Sequence, residues 1–330
     1  MQRLAMRGIL LTTVLVGATL PAQAQRRAAD GAMSGAGAVR ILYRNDFENP
    51  ADAGFEASAY GSAKFMTGKN KEEADQAKVS GFTVGVTGQP ETAYGSRGAL
   101  KLAATTPDAQ GVVAERYFDW PADNATVVLL VYAHGVNTFY LQGWGRKAGR
   151  NLHAEVPVAK QDEWQFVKLN ASAFVGWGGG SVSPGETFGN LMIVVNGLDK
   201  SVDHAFLLVD NLAIFQDADS VPPSAPADVK AVADPKNGGV ALTWKPATDD
   251  VCVSAYEVHR STEADFKPAT KTRLATVSAL QYADREAQPG QTYHYAIVAK
   301  DAGGNKTPAP AVTVVAPAAA GAGGAKKEEF

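Results

Sequence analysis

Short runs with an apolar residue at every second position fill the last part of this chain and restrict it to a stack of half-buried strands. Val240, Leu242 and Trp244 share one face of one run, and Tyr293, Tyr295, Ile297 and Ala299 share one face of another. A period of two is that of a strand with one side in a core. Turn-forming segments punctuate the runs: Pro222-Pro-Ser-Ala-Pro226, Pro246-Ala-Thr-Asp-Asp250 and Asp301-Ala-Gly-Gly-Asn305. Two sheets packed face to face bury such strands.

The order of these segments carries more than a class. Val240-Ala-Leu-Thr-Trp244 is followed by Tyr256-Glu-Val-His-Arg-Ser261, Pro289-Gly-Gln-Thr-Tyr-His-Tyr295 and Val298-Ala-Lys-Asp-Ala-Gly-Gly-Asn-Lys306. That order resembles a fibronectin type III module, and Pro289 to Tyr293 resembles its tyrosine corner, in which a phenol pins the crossover between sheets. The resemblance implies a spacer or binding module, so function is expected in the preceding residues. Trp244 and Trp164 read as core, and Trp120, before Pro121, as a strand-end plug.

The N-terminus carries a Sec-type signal pattern. Met1 to Arg7 holds two arginines, Gly8 to Leu20 is a short apolar run, and Pro21-Ala-Gln-Ala24 supplies a small-residue cleavage site. The apolar run is shorter than the roughly 20 residues that span a bilayer. The expectation is a secreted or periplasmic protein with no membrane span. With 31 basic and 34 acidic residues the net charge is -3, which argues against a nucleic-acid-binding surface. Cys252 is the sole cysteine, so no intrachain disulfide can form. It reads as a packed thiol, with an intermolecular disulfide as the alternative.

The expected organisation is a signal peptide over 1–24, a flexible leader over 25–38, a β-sandwich over 39–216, a linker over 217–226, the fibronectin-like module over 227–316 and a low-complexity tail over 317–330. Lys69 to Lys78 reads as a short helix or a charged loop. The polar linker offers little apolar surface, so the two sandwiches are expected to fold independently and to be cut first at the linker.

Strand-like runs recur through the first domain at Ala99–Ala103, Thr126–His134, Thr138–Arg146, Leu152–Val158, Trp164–Leu169, Leu191–Asn196 and Ala205–Phe215. Four segments resemble β-jelly-roll carbohydrate-binding modules of the galactose-binding-like type: Asn45-Asp-Phe-Glu-Asn49, Tyr94-Gly-Ser-Arg-Gly-Ala-Leu-Lys-Leu102, Asp162-Glu-Trp-Gln-Phe-Val-Lys-Leu169 and Leu207-Leu-Val-Asp-Asn-Leu-Ala-Ile-Phe215. The implied fold is all-β, a jelly roll followed by a fibronectin type III sandwich. In such modules a structural calcium sits near the first and last strands. Here Asp46, Glu48 and Asp210 would supply hard carboxylate oxygens, with a carbonyl from Gly95 to Gly98. The alternative is that these carboxylates hydrogen-bond turns and strand ends.

Three successive runs each have an apolar face and a polar-aromatic face. If they pair as a meander, Tyr132, His134, Tyr140, Gln142, Trp144, Arg146, His153 and Glu155 share one surface. Aromatic rings cover the apolar faces of sugars while amide, guanidinium and carboxylate groups meet hydroxyls. Trp177, in Val175-Gly-Trp-Gly-Gly-Gly180, would stand at the rim on a mobile loop. The alternative is that this face meets only solvent or loops.

A secreted, non-catalytic glycan-binding protein is the leading expectation. Its ligand would be a polysaccharide or cell-surface glycan, with a protein partner conceivable at the fibronectin-like module. The five histidines lack metal-ligand spacing, and no nucleophile elbow or phosphate loop is present. A polysaccharide lyase using Tyr140, His134 and Arg146, or a glycoside hydrolase, is the enzymatic alternative. A structural or adhesive protein without a sugar site is the third.

Overall fold

The computed structural model describes residues 39–47, 56–61, 64–65, 82–87, 98–104, 111–196, 201–202, 205–234 and 239–317. The expected signal peptide and leader, the tail beyond Pro317, Glu48 and the Lys69–Lys78 segment lie outside them. Among the described residues no helix is long and apolar enough to cross a membrane.

Strands are numbered along the chain. One sheet of the first sandwich runs β10 (Trp164–Asn170), β7 (Ala125–His134), β13 (Phe206–Gln216), β5 (Ala99–Ala104) and β4 (Phe82–Thr87), with β1 (Arg40–Asn45) also on β13. The facing sheet runs β11 (Val175–Gly176), β9 (Arg150–Pro157), β8 (Thr138–Gly145), β12 (Thr187–Val195), β6 (Gly111–Pro121), β2 (Glu56–Gly61) and β3 (Lys64–Phe65). All strand pairs are antiparallel. Val127, Leu129 and Val131 of β7 meet Phe139, Leu141, Leu152, Leu191 and Ile193 of the facing sheet in one core. Trp120 is the expected plug, buried and stacked on Phe188 at 4.4 Å.

The opening strand ends sooner than the sequence resemblance placed it. Asn45 is its last residue, and its Oδ1 accepts the Phe47 amide at 2.8 Å. That side-chain turn lets Phe47 adopt φ 51° and drop fully into the core. Strand β13 is shared lengthwise: Phe206–Val209 pair with β5, and Leu212–Gln216 pair with β1. Asn211, at φ 47°, marks the break between the two registers.

In the second sandwich, β14 (Ala227–Ala233), β15 (Val240–Lys245) and β18 (Gln281–Asp284) form one sheet. The other comprises β17 (Arg273–Val277), β16 (Val253–Ser261), β19 (Thr292–Asp301) and β20 (Lys306–Pro308), with β21 (Val312–Val315) also on β19. A three-stranded sheet facing one of five strands, with β20 and β21 pairing successive stretches of β19, is the arrangement of a fibronectin type III sandwich. Trp244, Tyr256, Tyr295 and Ile297 fill its core. The Tyr293 hydroxyl accepts the Gln288 amide at 3.2 Å, closing the tyrosine corner across the turn at Pro289.

The two sandwiches are not separated by a bare linker. Leu130, on the outer face of β7, packs with the core residues of the second sandwich, and Trp164 and Phe166 of β10 flank it. Val128, Ala213 and Phe215 of the first sandwich cluster with Val251, Cys252 and Ala302 of the second. Lys168 Nζ donates to the Ala302 carbonyl at 2.7 Å, and Arg44 Nη1 to the Asp250 carbonyl at 3.2 Å. The expectation of independent folding rested on a linker with little apolar surface, and these contacts add an apolar seam to it. The apolar surface comes from the outer face of a sheet, not from the connecting segment. Cys252 is buried in this seam, and burial pushes its thiol pKa far up, so it is a packed, inert group.

Candidate functional site: the outer face of the second sheet

Strand β8 turns Phe139 and Leu141 inward, so Tyr140, Gln142 and Trp144 point out. Strand β9 buries Leu152, Ala154 and Val156 and turns Asn151, His153 and Glu155 outward. Their register sets Tyr140 against Glu155, Gln142 against His153 and Trp144 against Asn151. Directly opposed residues share a face, so these six side chains form one continuous surface.

Strand β11 extends that surface. Val175 pairs with His153, and two residues later the Trp177 ring lies over the His153 ring at 3.8 Å with 15° between planes. Tyr140 borders both, at 5.4 Å from Trp177 and 5.7 Å from His153. His153 is buried beneath the indole. Burial holds its pKa below the ordinary histidine value, against the opposing charge of Glu155. A neutral imidazole under an indole makes a broad apolar shelf.

The glycine-rich segment after Trp177 forms a tight turn that leaves the indole exposed, as expected of a ring at the rim. Gly179 N donates to Gly176 O at 2.8 Å and Gly176 N to Gly180 O at 2.9 Å. Gly180 has φ 85°, and a Cβ there would come within 2.5 Å of the Arg150 guanidinium. Arg150 Nη2 donates to Gly179 O at 3.0 Å and holds the turn against β9.

Trp144 stands at the other end of β8. Gly143 has no side chain because Phe188 occupies the space: an added Cβ would lie 2.4 Å from its ring. The Trp144 amide donates to Asn190 Oδ1 at 2.6 Å, and Asn190 Nδ2 donates in turn to Glu115 Oε1. The turn after β8 is built on the buried Glu186, whose carboxylate accepts the amides of Lys147 at 2.8 Å and Ala148 at 2.9 Å. Met192 lies opposite Gln142, and Val194 opposite Tyr140. With Val113 they form a small buried apolar cluster on this outer face.

Three aromatic side chains among the described residues are exposed: Trp177 at 60%, Tyr117 at 61% and Trp144 at 44%. All three stand on or directly beside this sheet. Tyr117, opposite Asn190 on β6, was not anticipated, nor were Glu115, Asn190, Met192 and Glu186. The residues from Gly111 to Pro121 carry valines on both sides of the strand, which hid its alternation.

Two expected members lie elsewhere. Tyr132 and His134 are on β7, in the other sheet. Gly135 to Asn137 read as a hairpin but carry the chain from one sheet to the other. There Tyr132 stacks on Phe206 at 6.1 Å, and His134 Nδ1 lies 2.8 Å from Asp162 Oδ1. Arg146 is at the correct end of β8, but its guanidinium is bonded twice to Asp119 Oδ1, at 2.6 and 3.0 Å. The lyase constellation of Tyr140, His134 and Arg146 is therefore not assembled.

Of the expected cation ligands, Asp46 is exposed and follows directly on β1, whose Asn45 pairs with Leu212 of β13. Asp210 is fully buried in β13, and its Oδ1 accepts the Asn211 amide at 2.7 Å. The pairing of first and last strands thus brings that end of β1 toward Asp210.

No family model matches the chain. It is similar to the amylopullulanase of Thermoanaerobacterium saccharolyticum, with 39% identity over 77 residues, which is 23% of this chain and 6% of that protein. Among solved structures it is similar to the family 11 carbohydrate-binding module of the cellulase Lic26A-Cel5E of Clostridium thermocellum. That likeness has 11% identity, covers 56% of this chain and 97% of the other, and has a TM-score of 0.36. A fibronectin-type-III-like protein of C. thermocellum is also similar, with 27% identity over 29% of this chain and 96% of the other, and a TM-score of 0.26.

Proposed function

We propose that the chain is a secreted glycan-binding protein that holds a polysaccharide across the outer face of β9, β8, β12 and β6. The observation that supports this reading most is the clustering of the exposed aromatic rings on one sheet, interleaved with Asn151 and Glu155, while Gln142 between them is buried. A shelf of Trp177 over His153 suits the apolar face of a sugar ring, and the amide and carboxylate groups suit its hydroxyls. Tyr140 and Trp144 are four residues apart, about 13 Å along an extended strand at about 3.3 Å per residue. That span suits a chain of about two to three sugars. The likeness to amylopullulanases, by name enzymes of polysaccharide breakdown, makes α-glucans the first ligands to test.

In this reading the first sandwich is a jelly-roll module and binds without catalysis, with the fibronectin type III sandwich as a spacer fixed to its back. A structural calcium near Asp46 and Asp210 belongs to the same proposal. A glycan array probed with the full chain tests it. Retention on one polysaccharide class without release of reducing or unsaturated ends supports the proposal. Product formation would make the face catalytic, and no retention on any glycan would refute it.

A further inference from the structure

A second cluster of polar groups lies away from the aromatic face, where the segment that leaves β13 meets the loop between β15 and β16. Asp219, Asp249 and Asp250 each present a carboxylate oxygen, and these oxygens lie within 4.8 Å of one another. Asp219 is 7% exposed. Its Oδ1 accepts the Val221 amide at 3.3 Å, while its Oδ2 is buried and receives no hydrogen bond. Asp249 repeats the pattern: Oδ2 accepts the Val251 amide at 3.0 Å, and Oδ1 is buried without a donor. Asp250 closes the cluster on the solvent side. Two buried carboxylate oxygens with no partner are costly to keep beside each other.

The neighbouring side chains add negative charge, and the Val221 and Gly303 amides offset only part of it. Asp301 lies close to Asp219, but its own oxygens are occupied by the amides of Gly304 at 2.6 Å and Asn305 at 2.8 Å and by Asn305 Nδ2 at 2.9 Å. The Arg44 guanidinium approaches the backbone carbonyls of Asp249 and Asp250, at 3.4 and 3.2 Å, rather than their carboxylates. Burial and the neighbouring carboxylates push Asp219 and Asp249 each up to about 6. A bound cation would remove that penalty at neutral pH.

We propose that Asp219, Asp249 and Asp250 form a calcium site that clamps the connecting segment to the second sandwich. The donors are all hard oxygens, which suit Ca²⁺ and not a thiolate- or imidazole-seeking metal. Two oxygens bound to one Ca²⁺ at 2.3–2.6 Å can be no more than about 5 Å apart, a span this cluster meets. Water completes the coordination on the exposed side of Asp250. The site also has a place in the architecture. Asp219 is in the connecting segment, whereas Asp249 and Asp250 precede Val251 and Cys252, which pack on Phe215 and Val128 of the first sandwich. The connecting segment is already laced to the same loop by Ser224 N to Thr248 O at 2.8 Å, and to the next by Asn305 Nδ2 to Asp219 O at 3.1 Å. An ion here fixes the seam between the sandwiches.

Calorimetric titration of the chelator-treated full chain with calcium tests the site, comparing wild type with Asp250→Asn and with the double variant Asp219→Asn/Asp249→Asn. The wild type is expected to bind one calcium ion more than the double variant, and Asp250→Asn to weaken that step about tenfold or more. Asp210→Asn is expected to leave this step intact, which separates it from any ion at the other end of the first sandwich. In chelator the double variant is expected to melt at or above the wild type, because repulsion between unpaired carboxylates has been removed. Equal calcium stoichiometry in wild type and double variant would overturn the proposal. So would a double variant that melts lower than wild type in both chelator and calcium.

Discussion

At the scale of single residues, the aromatic shelf and the strand beneath it make separable demands. Gly143 is where the demand is steric, since Phe188 fills the volume that a side chain would take and itself stacks on Trp120. Gly143→Ala is expected to destabilise the chain by about 1–3 kcal/mol through overpacking, read as a lower denaturation midpoint. An unchanged midpoint would mean that Phe188 has room to move. His153 makes an electrostatic demand. Its folded pKa lies below the unfolded value of 6.5, so between the two the unfolded chain binds more protons. Its neutral form is favoured by the fold above pH 6.5, and stability is lost as the pH falls below that value. His153→Phe should therefore show a shallower loss of stability between pH 7.5 and 5.5 than the wild type. Parallel pH profiles of the two proteins would dismiss the effect.

At the scale of elements, strand β7 shows what the sequence makes legible and what it does not. The alternation of Val127, Leu129 and Val131 marks the strand and its core face correctly. Its other face also holds Val128 and Leu130, ahead of Tyr132 and His134. A strand apolar on both sides is covered on both sides, and here the second cover is the fibronectin type III sandwich. That pattern was present in the chain, but alternation read on one face alone passes over it. Pairing partners were less legible, because three residues between β7 and β8 fit a hairpin and a crossing between sheets equally well. Within β8 and β9 the alternation placed Tyr140, Gln142, Trp144, His153 and Glu155 on one surface, as the register shows. Tyr117, Asn190 and Glu115 join that surface through pairings of β12 with strands distant in sequence, which local periodicity cannot encode. Leu130→Ala tests the seam. Truncating this fully buried side chain should cost about 2–5 kcal/mol, although it lies outside the core of its own sandwich. A cost near zero would mean that the two sandwiches do not depend on each other there.

At the scale of the whole molecule, two β-sandwiches are joined back to side, with the aromatic face on the sheet that does not meet the second sandwich. The shared apolar seam predicts that both unfold together. Calorimetry of the intact chain should give one transition, and Leu130→Ala should lower it as a unit. Two transitions, with only one displaced by the substitution, would mean that the seam does not couple them. Among the described residues the joint is made by the other sheet, so the second sandwich packs away from the outer face of β9, β8, β12 and β6. The most direct measurement is affinity electrophoresis of the full chain in gels containing the polysaccharide that retains it best, comparing wild type with Trp144→Ala and Trp177→Ala. Each substitution is expected to weaken binding by about 1–3 kcal/mol, as for anchoring aromatic residues at an interface. The melting temperature should scarcely change, because both rings are exposed. Retardation equal to wild type in both variants would contradict the assignment of this face to glycan binding.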